Sequence, residues 1–179
     1  MKNPLKSAQI RSNLHKRARI RALAEMAIIA ALYATITLAF LPLGFGMVQF
    51  RFSEALTILP VFTPLAIPGL TVGCMIANAV GSTIIGPIDI LMGSSATLMA
   101  AVCTYYLRKI KIGPVAVLAP LPPVIFNALI IGAELAYVTE TGLIINILWV
   151  ALGQLTVCYG LGIPLSIALE KAKISRLLS

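Results

Sequence analysis

The sequence predicts an all-α integral membrane protein built from six transmembrane helices. Composition is the first reason: 59% of the 179 residues are hydrophobic and 11% are charged, with a mean hydropathy of +0.98, well outside the range of soluble domains. Length is the second. A spanning helix takes about 20 apolar residues, so six consume roughly 120 and leave short loops and one basic tail. The third is the distribution of charge. With the amino terminus inside and six crossings, every Lys and Arg except Arg51 falls on the cytoplasmic side, as the positive-inside rule requires.

Residues 1–21 form a basic cytoplasmic tail carrying Lys2, Lys6, Arg11, Lys16, Arg17, Arg19 and Arg21, and residues 22–179 form the six-helix domain. The net charge of +8 would suit nucleic acid or anionic lipid, but its place beside the first span favours the bilayer and argues against nucleic acid. The first span reads from Ala22 to Leu43. Its apolar run from Met26 exceeds a signal-peptide core and lacks a small-residue cleavage site, so it is expected to be retained. Ser53 to Ile67, broken by Pro60, Pro64 and Pro68, predicts a distorted second helix buried against its neighbours. Gly69 to Ile85 makes the third, closed by Gly86 and Pro87. Ile88 to Leu107 makes the fourth, ending at Arg108, Lys109 and Lys111. Gly113 to Val138 makes the fifth, with Pro120, Pro122 and Pro123 expected to kink it early. Leu143 to Leu169 makes the sixth, closed by Glu170, Lys171, Lys173 and Arg176. The chain is thus a multi-pass plasma-membrane protein with both termini cytoplasmic.

This topology sorts the polar residues. Glu54, Asp89 and Glu134 fall at the outer ends of apolar spans, where an ionisable group is costly and faces a cavity or a partner. Asn78, Asn127, Asn146 and Gln154 continue the pattern inward, and Asn127 and Glu134, seven residues apart, share one helix face. Any single one of these is equally compatible with a hydrogen bond between helices, and Arg51 with Glu54 reads equally as an ion pair at the membrane surface. Several together suggest an outward-opening polar cavity for a compact ligand rich in N–H donors. Tyr33, Phe45, Phe50, Phe52, Tyr137 and Trp149 are candidate stacking or interface-belt residues. Ala27 and Ala31, with Ala30 and Ala34 offset by three, have the small-xxx-small spacing that admits a closely packed helix, inside this chain or in a partner.

Enzyme chemistry is not expected. No phosphate-binding G-x-x-x-x-G-K-[ST] loop occurs, and the single histidine, His15, lies in the tail, which removes Ser-His catalysis and a zinc-binding H-E-x-x-H. Cys74, Cys103 and Cys158 sit in apolar segments and read as packing residues, so no metal or cofactor is expected. A stand-alone secondary transporter, relaying protons through Glu54, Asp89 or Glu134, is the alternative function class.

Three stretches resemble the QueT family: Gln49-Phe-Arg-Phe-Ser-Glu-Ala-Leu-Thr-Ile-Leu-Pro60, Ala66-Ile-Pro-Gly-Leu-Thr-Val-Gly-Cys-Met-Ile-Ala-Asn78, and Gly86-Pro-Ile-Asp-Ile-Leu-Met-Gly-Ser-Ser-Ala-Thr97. That family comprises substrate-binding S components of energy-coupling factor (ECF) transporters for queuosine precursors. The resemblance implies a six-helix S-component bundle with its ligand site near the extracellular face, and a 7-deazaguanine ligand such as 7-aminomethyl-7-deazaguanine or queuine. Glu54, Asp89 and Glu134 would be its carboxylates, Asn78, Asn127 and Gln154 its amides, and Gln49 and Arg51, from the first motif, would complete the site. It also implies that Ala27 and Ala31 dock onto a transmembrane T subunit, with two ATP-binding cassette subunits hydrolysing ATP. At Gly153-Gln154 the chain departs from the family's Gly-Glu, a lost carboxylate that favours a neutral ligand or a different substituent over a cationic one.

Overall fold

The computed structural model describes residues 4–44, 48–81, 86–110 and 116–172. Among these residues the secondary structure is entirely helical. The elements are α1 (Pro4–Ala39), a single turn α2 (Leu41–Gly44), a 3-10 helix (Phe52–Val61), α3 (Ala66–Gly81), α4 (Ile88–Leu107), α5 (Leu121–Thr139), α6 (Leu143–Val157), a π-helical turn (Cys158–Gly162) and α7 (Ile163–Lys171). Phe45, Lys2, Lys111, Lys173 and Arg176 lie outside the described residues.

Four helical stretches are long and apolar enough to cross a bilayer: Asn13–Ala39, Ile88–Leu107, Leu121–Thr139 and Leu143–Lys171. The other two expected spans are shorter. The second is a 3-10 helix of 10 residues, about 20 Å long at its rise of about 2.0 Å per residue, and α3 has 16 residues. Pro60 lies inside the 3-10 helix, where it removes an N–H that a regular α-helix would use. The fifth helix starts later than expected. Its prolines do not kink it: Pro120 is the N-cap and Pro122 and Pro123 lie in the first turn, where the N–H groups have no intrahelical acceptor to lose. The sixth helix is interrupted by the π turn before α7. At the other end, α1 begins well upstream of Ala22, the expected start of the first span, so the tail from Pro4 onward is helical and continuous with the first long helix.

Close contacts fix the relative directions of these elements. Gly69 backs onto Met26 and Ile29, and Gly73, four residues on, backs onto Ala30 and Tyr33, so α1 and α3 run parallel. The 3-10 helix supplies the return between them. It starts beside the end of α1, where the Thr37 and Ser53 hydroxyls lie 2.6 Å apart, and its later residue Ile58 clusters with Ala116 and Ala119. From α3 onward, neighbours alternate. Asn78 near the end of α3 donates to the Asp89 carbonyl at the start of α4. Thr104 near the end of α4 donates to the Ala119 carbonyl ahead of α5 (2.9 Å), and Gly132 of α5 lies against Ile147 of α6. Successive helices α3, α4, α5 and α6 pack in chain order, α1 packs on α3, and the 3-10 helix contacts α1, α3, α4, α6 and the π turn. The 3-10 helix therefore closes the bundle between its first and last long helices.

The start of α1, Arg108 and Lys109 after α4, and Lys171 at the end of α7 share one end of the bundle, and Asp89 and Glu54 lie toward the other. Apolar side chains cover the outside: Ile28, Leu32, Val80, Leu91, Leu129, Ile144 and Leu148 are all exposed. That surface suits lipid, and the buried acids Glu54, Asp89 and Glu134 collect inside, toward the end away from the basic residues.

Candidate functional site

The eight candidates come from six parts of the chain. The loop after α2 carries Gln49 and Arg51, the first turn of the 3-10 helix carries Glu54, the last turns of α3 carry Asn78, and the first turn of α4 carries Asp89. Asn127 and Glu134 project from α5 and Gln154 from α6. All eight are at most 2% exposed. Two glycines admit this convergence. A Cβ on Gly153 would stand 2.5 Å from the Gln49 carbonyl oxygen, and one on Gly93 would stand 2.3 Å from Asn78 Nδ2. A side chain at residue 153 would force the Gln49 backbone away from α6, and one at residue 93 would displace the Asn78 amide.

Arg51 is the electrostatic centre, interacting with Tyr33, Cys74, Asp89 and Glu54, and its Nη1 lies 3.9 Å from Cys74 Sγ. Glu134 interacts with Asp89 and with Arg51. The Tyr33 hydroxyl donates to Glu54 Oε1, and Asn127 stands beside the same carboxylate without reaching a well-formed hydrogen bond. Gln154 Oε1 accepts from Cys158 Sγ at 3.6 Å, and the same thiol also approaches the Glu54 carbonyl at 3.8 Å. Arg51 and Glu54 therefore do not meet at the surface. Both are buried, and their charges attract in the interior.

What makes this cluster a candidate site is its unmet hydrogen-bonding capacity. Buried atoms without a hydrogen-bond partner include Oε2 of Glu54, both carboxylate oxygens of Asp89 and of Glu134, both amide atoms of Gln49, Asn78 Oδ1, Asn127 Nδ2 and the Thr97 hydroxyl. A folded protein leaves few such atoms, because each costs about 1–3 kcal/mol, and a charged one more. A polar ligand would satisfy such donors and acceptors together.

Sequence reasoning missed several members of the cluster. Thr97 lies two turns beyond Asp89 on α4, and Thr37 and Ser53 are paired beneath Tyr33. Cys74 and Cys158, expected as packing residues, each touch polar partners of the site. Threonine, cysteine and tyrosine occur on any face of an apolar helix, so only their neighbours reveal them. Other polar residues belong elsewhere. Asn146 donates to the Thr141 hydroxyl and the Gly142 carbonyl at the start of α6, and Glu140 is an exposed left-handed cap (φ 53°) after α5. Tyr137 is 80% exposed and Trp149 37%, so both face outward, and Phe52 packs edge-on against Phe40. A groove of about 560 Å³ along Gly142, Leu143, Ile144, Ile145 and Leu148 is apolar and offers nothing to orient a polar ligand.

The two alanine pairs point in opposite directions. Ala30 and Ala34 are buried, and Ala30 backs onto Gly73 of α3. Ala27 and Ala31 are exposed on the outer face of α1.

A family model described as QueT transporter matches residues 23–171. Among curated proteins, the chain is similar to the queuosine precursor transporter QueT of Lactococcus lactis subsp. cremoris (strain MG1363), with 33% identity over 86 residues. That alignment covers 47% of this chain and 49% of the relative, so it spans about half the relative's length. No solved structure matches.

Proposed function

We propose that this chain, which belongs to the QueT transporter family, is the membrane-embedded substrate-binding S component of an ECF importer for a queuosine precursor of the 7-deazaguanine type. The observation that carries this reading is the buried set of unpartnered polar atoms around Glu54, Asp89 and Glu134. A 7-deazaguanine presents adjacent N–H donors on its pyrimidine edge and a carbonyl beside them. With Oε1 held by Tyr33, the Glu54 carboxylate is oriented to accept from that edge through Oε2, and the neighbouring Asn127 amide can donate to the ring carbonyl. Charge-assisted acceptance of this kind gives both affinity and orientation.

Six crossings, with both termini in the cytoplasm and the site near the outer face of the plasma membrane, are supported by the alternating helix directions and by the basic residues gathered at one end. The exposed Ala27 and Ala31 give α1 a smooth outer face on which a helix of the T subunit would pack, with two separate ATP-binding cassette subunits supplying the energy. Uptake of labelled 7-aminomethyl-7-deazaguanine into proteoliposomes tests the assembly. Uptake should require the coupling subunits and ATP. Uptake without any ATPase that collapses with the proton gradient would instead mean a secondary transporter.

A further inference from the structure

Half of the chain's 14 Lys and Arg residues lie in its first 21 positions, and the first acid is Glu25. The buried polar cluster draws on none of them, and the family match begins only at residue 23. This segment is nevertheless ordered as the start of α1, one unbroken helix from Pro4 to Ala39. Lys16, Arg17 and Arg19 are exposed on it, and they share the basic end of the bundle with Arg108, Lys109 and Lys171.

Depth along the helix decides what these cations meet. Counted from Ala39 at about 1.5 Å per residue, about 30 Å of α1 reaches Ile20, and about 30 Å is the thickness of a bilayer's hydrocarbon core. Side chains change character at that level. Ile20 and Leu23 are 66% and 62% exposed, an apolar surface that suits acyl chains. Arg19, Arg17 and Lys16 follow within about 6 Å of Ile20 along the axis, inside a headgroup layer about 5–7 Å deep. At about 100° per residue the three cations fan over about 160° of the helix, and Ile20 and Leu23 fall between them. Apolar and basic residues thus share one flank, one above the other. A helix lying flat on a membrane would place them on opposite faces, so this one stands upright through the headgroups. The same end of α4 repeats the order: Tyr106 is 73% exposed, as suits a membrane interface, Arg108 holds its guanidinium 3.5 Å from the centre of the Tyr105 ring, and Lys109 follows.

We infer that the basic end of α1 binds the phosphate headgroups of anionic phospholipids through Lys16, Arg17 and Arg19, with the acyl chains lying along Ile20 and Leu23. A guanidinium takes two phosphate oxygens at once, and an ammonium adds a point charge. No carboxylate precedes Glu25 to repel the phosphates. A zwitterionic lipid carries the same phosphate with a cation of its own, which this segment repels, so the selection is for net negative charge. Each Lys or Arg near an anionic surface contributes about fivefold to binding, and three together on the order of a hundredfold. The site stands apart from the buried cluster and does not depend on what that cluster binds.

Native mass spectrometry of the full-length protein, released from neutral detergent with equal amounts of phosphatidylglycerol and phosphatidylcholine of identical acyl chains, reads the preference directly. The wild type should retain phosphatidylglycerol at least about tenfold over phosphatidylcholine, and Lys16→Gln, Arg17→Gln and Arg19→Gln combined should bring the two within about threefold. The three residues are exposed, so the variant's unfolding temperature should match the wild type's and separate lost lipid from lost fold. Arg108→Gln with Lys109→Gln is the control and should keep the preference. Equal retention of both lipids by the wild type would overturn the site and point to an acidic protein surface as the partner of this segment. A preference that survives the triple substitution and falls in the control would overturn it too, by placing the lipid at α4. Displacement of phosphatidylglycerol by an equal concentration of inorganic phosphate would show a free-anion site and no lipid site.

Discussion

The hydroxyl of Tyr33 on α1 donates to Oε1 of Glu54 on the 3-10 helix, and Oε2 of the same carboxylate has no partner. One oxygen thus holds the side chain, and under the proposed function the other is open to a ligand. Tyr33→Phe removes the holding bond and leaves both oxygens unpartnered in the interior. Ligand affinity should fall about tenfold and stability by about 1–3 kcal/mol, measured by calorimetric titration and thermal unfolding in detergent. Unchanged affinity would mean that Tyr33 does not orient Glu54.

Gly153→Ala pushes a methyl group to within 2.5 Å of the Gln49 carbonyl oxygen and 2.9 Å of its carbon. The backbone cannot yield there without shifting the loop that also carries Arg51. Ligand binding should weaken more than about tenfold, since small misplacements of a preorganised site are costly. Gly160→Ala is the control. Nothing lies within 4 Å of its added Cβ, so binding should stay within about twofold of wild type.

Thr104→Val separates stability from function. The Thr104 hydroxyl is buried and donates to the Ala119 carbonyl at the end of the bundle away from the site. Losing that bond should cost about 1 kcal/mol or somewhat more, because the carbonyl is left unsatisfied. A lower unfolding temperature with unchanged ligand affinity is the expected result.

Ala27→Leu and Ala31→Leu alter only the outer face of α1, where both residues are exposed. If that face meets the T subunit, a bulky side chain separates the two helices. Uptake in cells should drop at least about tenfold, with ligand affinity of the purified subunit unchanged within about twofold. Full uptake with both substitutions combined would remove the alanine face from the interface.

The acidic residues of the buried cluster were legible because an ionisable group in an apolar stretch has few structural reasons to be there. Glu54, Asp89 and Glu134 announced themselves in this way, and the amides gained meaning from sharing their end of the bundle. Arg51 was the harder case, since its place in a loop suggests the surface, while the folded chain buries it with its Nη1 3.9 Å from Cys74 Sγ of α3. Pro60 signalled distortion but not that the whole segment becomes a short 3-10 helix. Pro122 and Pro123 suggested a kink because the start of α5 depends on where the chain leaves the preceding turns, which periodicity does not record. The outward direction of Ala27 and Ala31 and the inward direction of Ala30 and Ala34 follow from one tertiary fact, the close approach of α3 at Gly69 and Gly73.

The central claim is that the buried polar cluster is the ligand site, and Glu54 is its most specific element. Calorimetric titration of wild type and Glu54→Gln with 7-aminomethyl-7-deazaguanine tests it directly. The account predicts saturable binding at micromolar ligand or below for the wild type and affinity at least about tenfold weaker for the variant, since a neutral amide loses the charge-assisted acceptor. Wild-type affinity in Glu54→Gln, or no saturable binding by the wild type at micromolar ligand, would contradict it.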